Sequence, residues 1–474
     1  MKRRDLGLFG GPLMAVLTWG VSRAWGLPED MALVLCAAAW MLVWWIVEAV
    51  PLGVTSLLPL VLFPTLGLTG VAEAAAPYGS KYVFLFMGGF LIAIALERWH
   101  LHKRFALNVL VAAGGNPRRL LGGFMIATAA LSMWISNTAT TLMMLPIAIS
   151  VLSNLDLKRH PNLPVALLLG TAYAANVGGI ATLVGTPPNV AMAGLLEEHA
   201  SRSVPFLEWS AMAFPFSVLL LGLVYLLLTR VLCPVARTSL ASGADGLKDE
   251  LEGLGVWTAA EKRVAVVFAA TAMLWMGRRF IVAHWDVPLN DTSIAMMGGL
   301  LLFVLPAGGL QQGQMLLTWQ DTKRLPWDIL LLFGGGLTLA KQLAEANVLV
   351  AVADAVSELP QMSPSLLIAG FVVMSLFLTE VMSNLALTVV MVPVVAQVAV
   401  NWEMDPLLLV VPVTMASSCA FMLPMATPPN AIVFGSGRLN MRSMVKVGLV
   451  LNVVAAFLTW MWSIWVLPKW MQLF

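Results

Sequence analysis

The chain has 474 residues, 59% hydrophobic and only 11% charged, with a net charge of +2 and a mean hydropathy of +0.87. A soluble domain carries about 25% charged residues, so an ordinary cytosolic protein is excluded, and a chain this close to neutral offers no basic face for nucleic acid. Apolar stretches of the roughly 20 residues that cross a bilayer recur almost from end to end, which leaves no room for a soluble catalytic domain and puts the function inside the membrane.

The basic start, Met1-Lys2-Arg3-Arg4, precedes an apolar run without a convincing small-residue cleavage site, so residues 1–30 are expected to be a retained transmembrane helix with a cytoplasmic N-terminus. Beyond it the sequence repeats. Pro51-Leu52-Gly53-Val54-Thr55-Ser56 matches Pro288-Leu289-Asn290-Asp291-Thr292-Ser293. Phe86-Met87-Gly88-Gly89-Phe90 matches Phe333-Gly334-Gly335-Gly336-Leu337, and Ser136-Asn137, with Thr141 and Pro146, matches Ser383-Asn384, with Thr388 and Pro393, both 247 residues apart. Thr186-Pro187-Pro188-Asn189 returns as Thr427-Pro428-Pro429-Asn430, 241 residues on. Four matches in one order define two repeats, 31–234 and 262–474, joined by a polar cytoplasmic linker at 235–261.

Charge sets their orientation, because short cytoplasmic loops collect Lys and Arg. The first Ser-Asn segment is flanked by Arg98, Lys103, Arg104, Arg118 and Arg119 on one side and by Lys158 and Arg159 on the other. The matching flanks of the second, 344–366 and 401–406, contain no Lys or Arg and carry Glu345, Asp354, Glu358, Glu403 and Asp405. The repeats are therefore inverted, and because both flanks of each segment share a sign, each is expected to be a re-entrant hairpin, at about 119–152 and 366–400. Broken helices are expected near 176–193 and 417–434, where Pro-Pro interrupts an apolar run. The fold class that follows is an all-α polytopic membrane protein built from two inverted-topology repeats.

Prolines cannot continue a preceding helix but suit the first turn of the next. Each Thr-Pro-Pro-Asn motif should thus start a helix at mid-membrane, with free N–H groups and about half a positive charge for an anion. The upstream arms end in unpaired carbonyls, which together with Ser, Thr and Asn oxygens suit a small hard cation such as sodium. Segments 130–150, 171–193, 379–395 and 412–437 contain no Lys, Arg or His and a single acid, Glu380. A bound carboxylate would find no basic side chain there, and burying it uncompensated is prohibitive, so cation-coupled anion transport is the self-consistent chemistry. An isolated Ser-Asn pair is more often ordinary small-residue packing; its duplication alongside duplicated Thr-Pro-Pro-Asn argues against that.

Other features carry less. Glu48 and Glu380 lie in apolar stretches, where an acid serves either function or buried hydrogen bonding. Five scattered histidines and three unpatterned cysteines make no metal or nucleophilic site, and no GxxxxGK[ST] or GxGxxG occurs, so neither an ATP loop nor a dinucleotide fold is supported. No cofactor is expected, no enzyme activity is indicated, and a gradient must supply the energy. Most tryptophans read as interfacial belt residues.

Ser136-Asn137-Thr138 together with Thr-Pro-Pro-Asn in both halves resembles the divalent anion:sodium symporter family, over essentially the whole chain. The resemblance implies a homodimer whose protomers divide into a scaffold domain and a transport domain that moves as an elevator, with sodium as the coupling ion. It implies a first sodium site at Ser132, Ser136, Asn137 and the backbone of Gly185, and a second at Thr379, the backbone of Met382, Asn384 and the backbone of Ala426. Substrate contacts fall on Asn137, Thr138, Thr186, Asn384, Leu385 and Pro428. Leu385 departs from the pattern, since a hydroxyl is expected there. The expected activity is sodium-coupled uptake of a C4 dicarboxylate (succinate, malate or fumarate) across a bacterial inner membrane. The alternatives are sulfate symport, or a sodium-independent exchanger or anion channel on the same scaffold.

Overall fold

The computed structural model describes residues 3–153, 160–235, 245–308, 311–358 and 362–473; Lys158, Arg159 and positions 236–244 of the expected linker lie outside them. Among the described residues, seven helices are long and apolar enough to cross a membrane, or eight if Trp327–Glu345 and Val348–Ser357, bent by 68°, count as one span. The all-α architecture expected from the hydropathy is present, with one short antiparallel hairpin added, Pro306–Gly308 against Gln311–Met315.

Arg3–Ala24 and Glu29–Val47 form the N-terminal helical pair. The rest of the chain builds two similar sets of elements. Pro117–Ser132 and Asn137–Ser153 are joined by a short turn, as are Pro364–Leu378 and Asn384–Asn401. Both pairs begin with proline in the first turn behind a side-chain cap: Asn116 accepts from the N–H of Arg118 and Arg119, and Ser363 accepts from Leu366, which meets donors that the helix itself leaves open. Leu163–Ile180 stops and Pro187–Ala200 begins after a six-residue break; Leu407–Ser417 stops and Pro428–Gly435 begins after ten. In both, an extended threonine, Thr186 or Thr427, turns the chain into the proline pair.

Small residues let these elements cross at backbone distance, the packing that membrane helices favour. A Cβ on Gly88 would lie 2.6 Å from the Ala295 carbonyl carbon, so Lys81–Arg98 and Asp291–Val304 meet nearly backbone to backbone. The two broken helices are tied to each other across the centre. The Tyr173 hydroxyl donates to the Phe421 carbonyl at 2.8 Å, and Asn176 Nδ2 donates to Thr427 Oγ1 at 3.1 Å. Non-helical backbone at this depth is thus enclosed by protein, as a membrane requires.

Candidate functional site

The site begins with one hydrogen bond that both halves make. Ser132 Oγ donates to Asn137 Oδ1 at 2.6 Å, and Thr379 Oγ1 donates to Asn384 Oδ1 at 2.7 Å. In each case the hydroxyl ends the incoming helix and the asparagine starts the outgoing one, so the turn brings two oxygens together. A second hydroxyl, Thr141 or Thr388, bonds back to the asparagine carbonyl at 2.8 and 2.9 Å. The Ser417 carbonyl lies 2.6 Å from the same Thr379 Oγ1 and shares that hydroxyl's one proton with Asn384, which ties the second pair to the end of its broken helix.

The broken helices are held open by the asparagines of Thr-Pro-Pro-Asn. Asn189 Nδ2 donates to the carbonyls of Gly179 and Thr182 at 3.1 and 2.8 Å, and Asn430 Nδ2 to those of Ala420 and Leu423 at 3.0 and 3.1 Å. The Thr182 and Leu423 carbonyls also accept from the N–H of Gly185 and Ala426 at 3.3 and 3.2 Å, so the asparagine amides reinforce the turn hydrogen bonds within each break. Gly179 is required by proximity, since a Cβ there would stand 2.5 Å from Asn137 Oδ1. The first Ser-Asn turn and the first break are therefore in direct contact.

Both halves open on one cavity of about 780 Å³. Asn137, Thr138, Thr186, Asn384, Leu385 and Pro428, named from the sequence as substrate contacts, all line it. Of the residues named for sodium, Ser136, Asn137, Met382, Asn384 and Ala426 also line it, whereas Ser132, Gly185 and Thr379 lie buried behind. An asparagine amide so placed has two faces: Oδ1 lies among hydroxyl and carbonyl oxygens, a cation's ligands, while Nδ2 is a donor suited to a carboxylate. The two repeats differ at the next position, where Thr138 presents a hydroxyl and Leu385 does not, and Met382, Leu385 and Met425 make the second lip apolar.

Glu380 is buried, at 3% exposure, and does not line the cavity. Its Oε1 accepts from the N–H of Phe421 and Met422 at 2.9 Å and from Asn452 Nδ2 at 2.7 Å, and Oε2 accepts from Leu423 N–H at 2.9 Å. It is a structural staple for the second break, accepting four hydrogen bonds, three on Oε1 and one on Oε2.

Two polar wall residues, Asn176 and Arg324, escaped sequence reasoning, and a third, Glu48, was marked only as an acid in an apolar stretch. Asn176, a polar residue in an apolar arm, reaches the cavity from the first broken helix. Glu48 lines the wall in a left-handed conformation (φ 50°), uncommon for a residue with a side chain. Arg324 is the one Lys, Arg or His on the wall among the described residues; it comes from the polar turn Trp319–Arg324, outside every motif, and nothing in the sequence marks it as facing inward.

The match of residues 12–474 to the model of the sodium:sulfate symporter transmembrane region decides the family. The chain belongs to the divalent anion:sodium symporter family. It is 37% identical over 460 residues to the sodium-dependent dicarboxylate transporter SdcS of Staphylococcus saprophyticus, covering 95% of this chain and 89% of that one. It is 36% identical over 473 residues to SdcS of Staphylococcus aureus strain bovine RF122, covering 98% and 91%. Among solved structures it resembles the YdaH transporter of Alcanivorax borkumensis, with a TM-score of 0.62 at 15% identity over 94% of this chain and 99% of that one. It also resembles MtrF of Neisseria gonorrhoeae, with a TM-score of 0.59 at 13% identity over 84% of each chain. At those identities the likeness is one of fold.

Proposed function

We propose that the chain is a secondary transporter that couples inward sodium movement to uptake of a C4 dicarboxylate such as succinate, malate or fumarate. The observation that carries this reading is the duplicated hydroxyl–asparagine pair, Ser132–Asn137 and Thr379–Asn384, whose asparagines face one cavity beside two Pro-Pro helix starts. Relatives at 36–37% identity that carry the name sodium-dependent dicarboxylate transporter support the choice of ion and substrate.

In this reading one sodium binds at Ser132, Ser136, Asn137 and the Gly185 backbone, and another at Thr379, Asn384 and the backbones of Met382 and Ala426. The hydroxyls of Ser132 and Thr379 turn their hydrogens away so that their oxygens and the asparagine Oδ1 atoms face the cations. The asparagine amino groups, with Thr138 and Thr186 and the helix start at Pro428, then meet the two carboxylates. Coupling follows from charge: a dianion among these groups has helix ends but no basic side chain beside it, so it binds well only once the cations are in place. Leu385 leaves the second carboxylate one donor short. Two protomers form a homodimer in a bacterial plasma membrane with cytoplasmic N-termini, and the segments carrying the two asparagines move together as the elevator.

The test is uptake of labelled succinate into proteoliposomes under an inward sodium gradient, repeated with potassium or choline and with excess sulfate. Sodium-dependent uptake that sulfate does not inhibit is expected. Uptake indifferent to sodium overturns coupling in favour of an exchanger or channel, and sulfate flux without succinate flux overturns the substrate.

A further inference from the structure

Four charged residues line the cavity wall, Glu48, Glu97, Asp328 and Arg324. None belongs to the two hairpin pairs or the broken helices; Glu97 adjoins Arg98 and is paired with Arg324, and Asp328 follows Arg324 by four residues, so these three mark the end of the cavity where Lys81–Arg98 finishes. A dianion travelling between the asparagines and the solution on that side passes three acids and one base. Like charge along this path raises the barrier to entry and exit, and among the described residues the Arg324 guanidinium is the one cation on the wall that opposes it.

Arg324 is built for recognition rather than left as a loose surface side chain. Its turn is fixed at several points. Asp321 accepts from Thr318 N–H and Oγ1 at 2.7 and 2.8 Å and is paired with Arg98. Trp99 Nε1 donates to the Leu316 carbonyl at 2.9 Å, and Trp327 Nε1 to that of Thr322 at 3.2 Å. Arg324 itself spends one nitrogen on Glu97, Nη2 to Oε2 at 2.6 Å, while 47% of its side chain stays exposed. Among the described residues the rest of the planar fork has no partner, and that fork suits a carboxylate in a way that a lysine point charge does not.

The geometry points to Arg324 as a second, transient carboxylate site at this mouth of the cavity, where the substrate's leading carboxylate takes the guanidinium donors that Glu97 leaves free. The inference rests on the reading of the chain as a dianion carrier. It makes Glu97 a competitor that keeps the site weak, so that the substrate passes through rather than lodging there.

The experiment compares the succinate concentration for half-maximal sodium-dependent uptake in right-side-out and everted membrane vesicles. Variants are Arg324→Gln, Arg324→Lys, Glu97→Gln and the double change. Arg324→Gln is expected to raise half-saturation about tenfold, the worth of a charged hydrogen bond, on one vesicle face only and more strongly at low salt. Arg324→Lys should fall between Arg324→Gln and wild type, and Glu97→Gln should lower half-saturation on the same face. The double variant keeps the wild-type wall charge without the fork, so it should stay high; its return to the wild-type value would reduce Arg324 to a general field and overturn the site. Equal changes on both faces, or none, would also overturn it. Wild-type vesicles that carry no succinate would instead overturn the proposed function, and size-exclusion profiles identify a variant that fails to fold, for which Arg324→Lys serves in place of Arg324→Gln.

Discussion

The two halves of the site solve one problem with different parts. Their asparagines are set alike, by a hydroxyl five residues upstream at 2.6 and 2.7 Å and by Asn189 or Asn430 bracing the break. They part company in how the break is anchored to the hairpin. In the second half Glu380 collects three backbone N–H groups of the break and the Asn452 amide. In the first half the position 247 residues earlier is Met133. There the hairpin backbone does the work: the Met133 carbonyl accepts from the Thr182 hydroxyl, and Gly179 lets the break lie against Asn137. What is duplicated is the cavity-facing geometry; what differs is the support behind it, which makes the halves separable by mutation.

The largest effect tests the likeness. If Asn137 and Asn384 each serve cation and carboxylate, Asn137→Ala and Asn384→Ala should each abolish sodium-driven succinate uptake while the protein still elutes as a folded species. Each removes a half-buried amide whose hydrogen bonds to charged groups are worth about 1.5–3 kcal/mol apiece. Normal uptake by either variant would break the equivalence of the halves.

Next in size is a test of the difference. Glu380→Gln puts an NH₂ group where backbone N–H donors expect an acceptor, and each buried donor left unsatisfied costs about 1–3 kcal/mol. Thermal unfolding in detergent should therefore begin well below wild type, and Glu380→Ala should be worse. Met133→Ala, at the matching position in the other half, should give a smaller shift, because no hydrogen bond depends on its side chain. Equal losses would mean that the breaks are anchored alike after all.

The repeats and the groups that face the cavity were legible because they recur as short patterns, Ser-Asn and Thr-Pro-Pro-Asn, whose spacing is local and whose prolines announce where helices must stop. Glu380 was visible only as an acid in an apolar run. Its role depends on Phe421, Met422 and Leu423, some 40 residues away, and on Asn452, 72 away, and no local spacing encodes such partners. Arg324 was hidden for the same reason. A basic residue in a polar turn reads as a solvated loop until the fold carries that turn to the cavity wall. The small hairpin at Pro306–Gly308 and Gln311–Met315 lay in a short connection between apolar runs that had no alternating pattern to declare it.

The smallest expected effect concerns a cavity-facing position at which the repeats disagree in polarity. Leu385 sits in the first turn of its helix directly after Asn384, is 4% exposed, and still lines the cavity. Thr138 occupies the same place in the first half. Leu385→Thr gives a carboxylate the hydrogen bond missing on that side, worth about 1.5–3 kcal/mol, and gives up part of the apolar burial of Leu385, so the net gain should be less. Half-saturation for succinate should fall several-fold, with a smaller change for a substrate too short to span both asparagines. An unchanged value would mean that the second carboxylate is held by Asn384 and the helix start at Pro428 alone, and that the apolar lip is a neutral wall rather than a weakened contact.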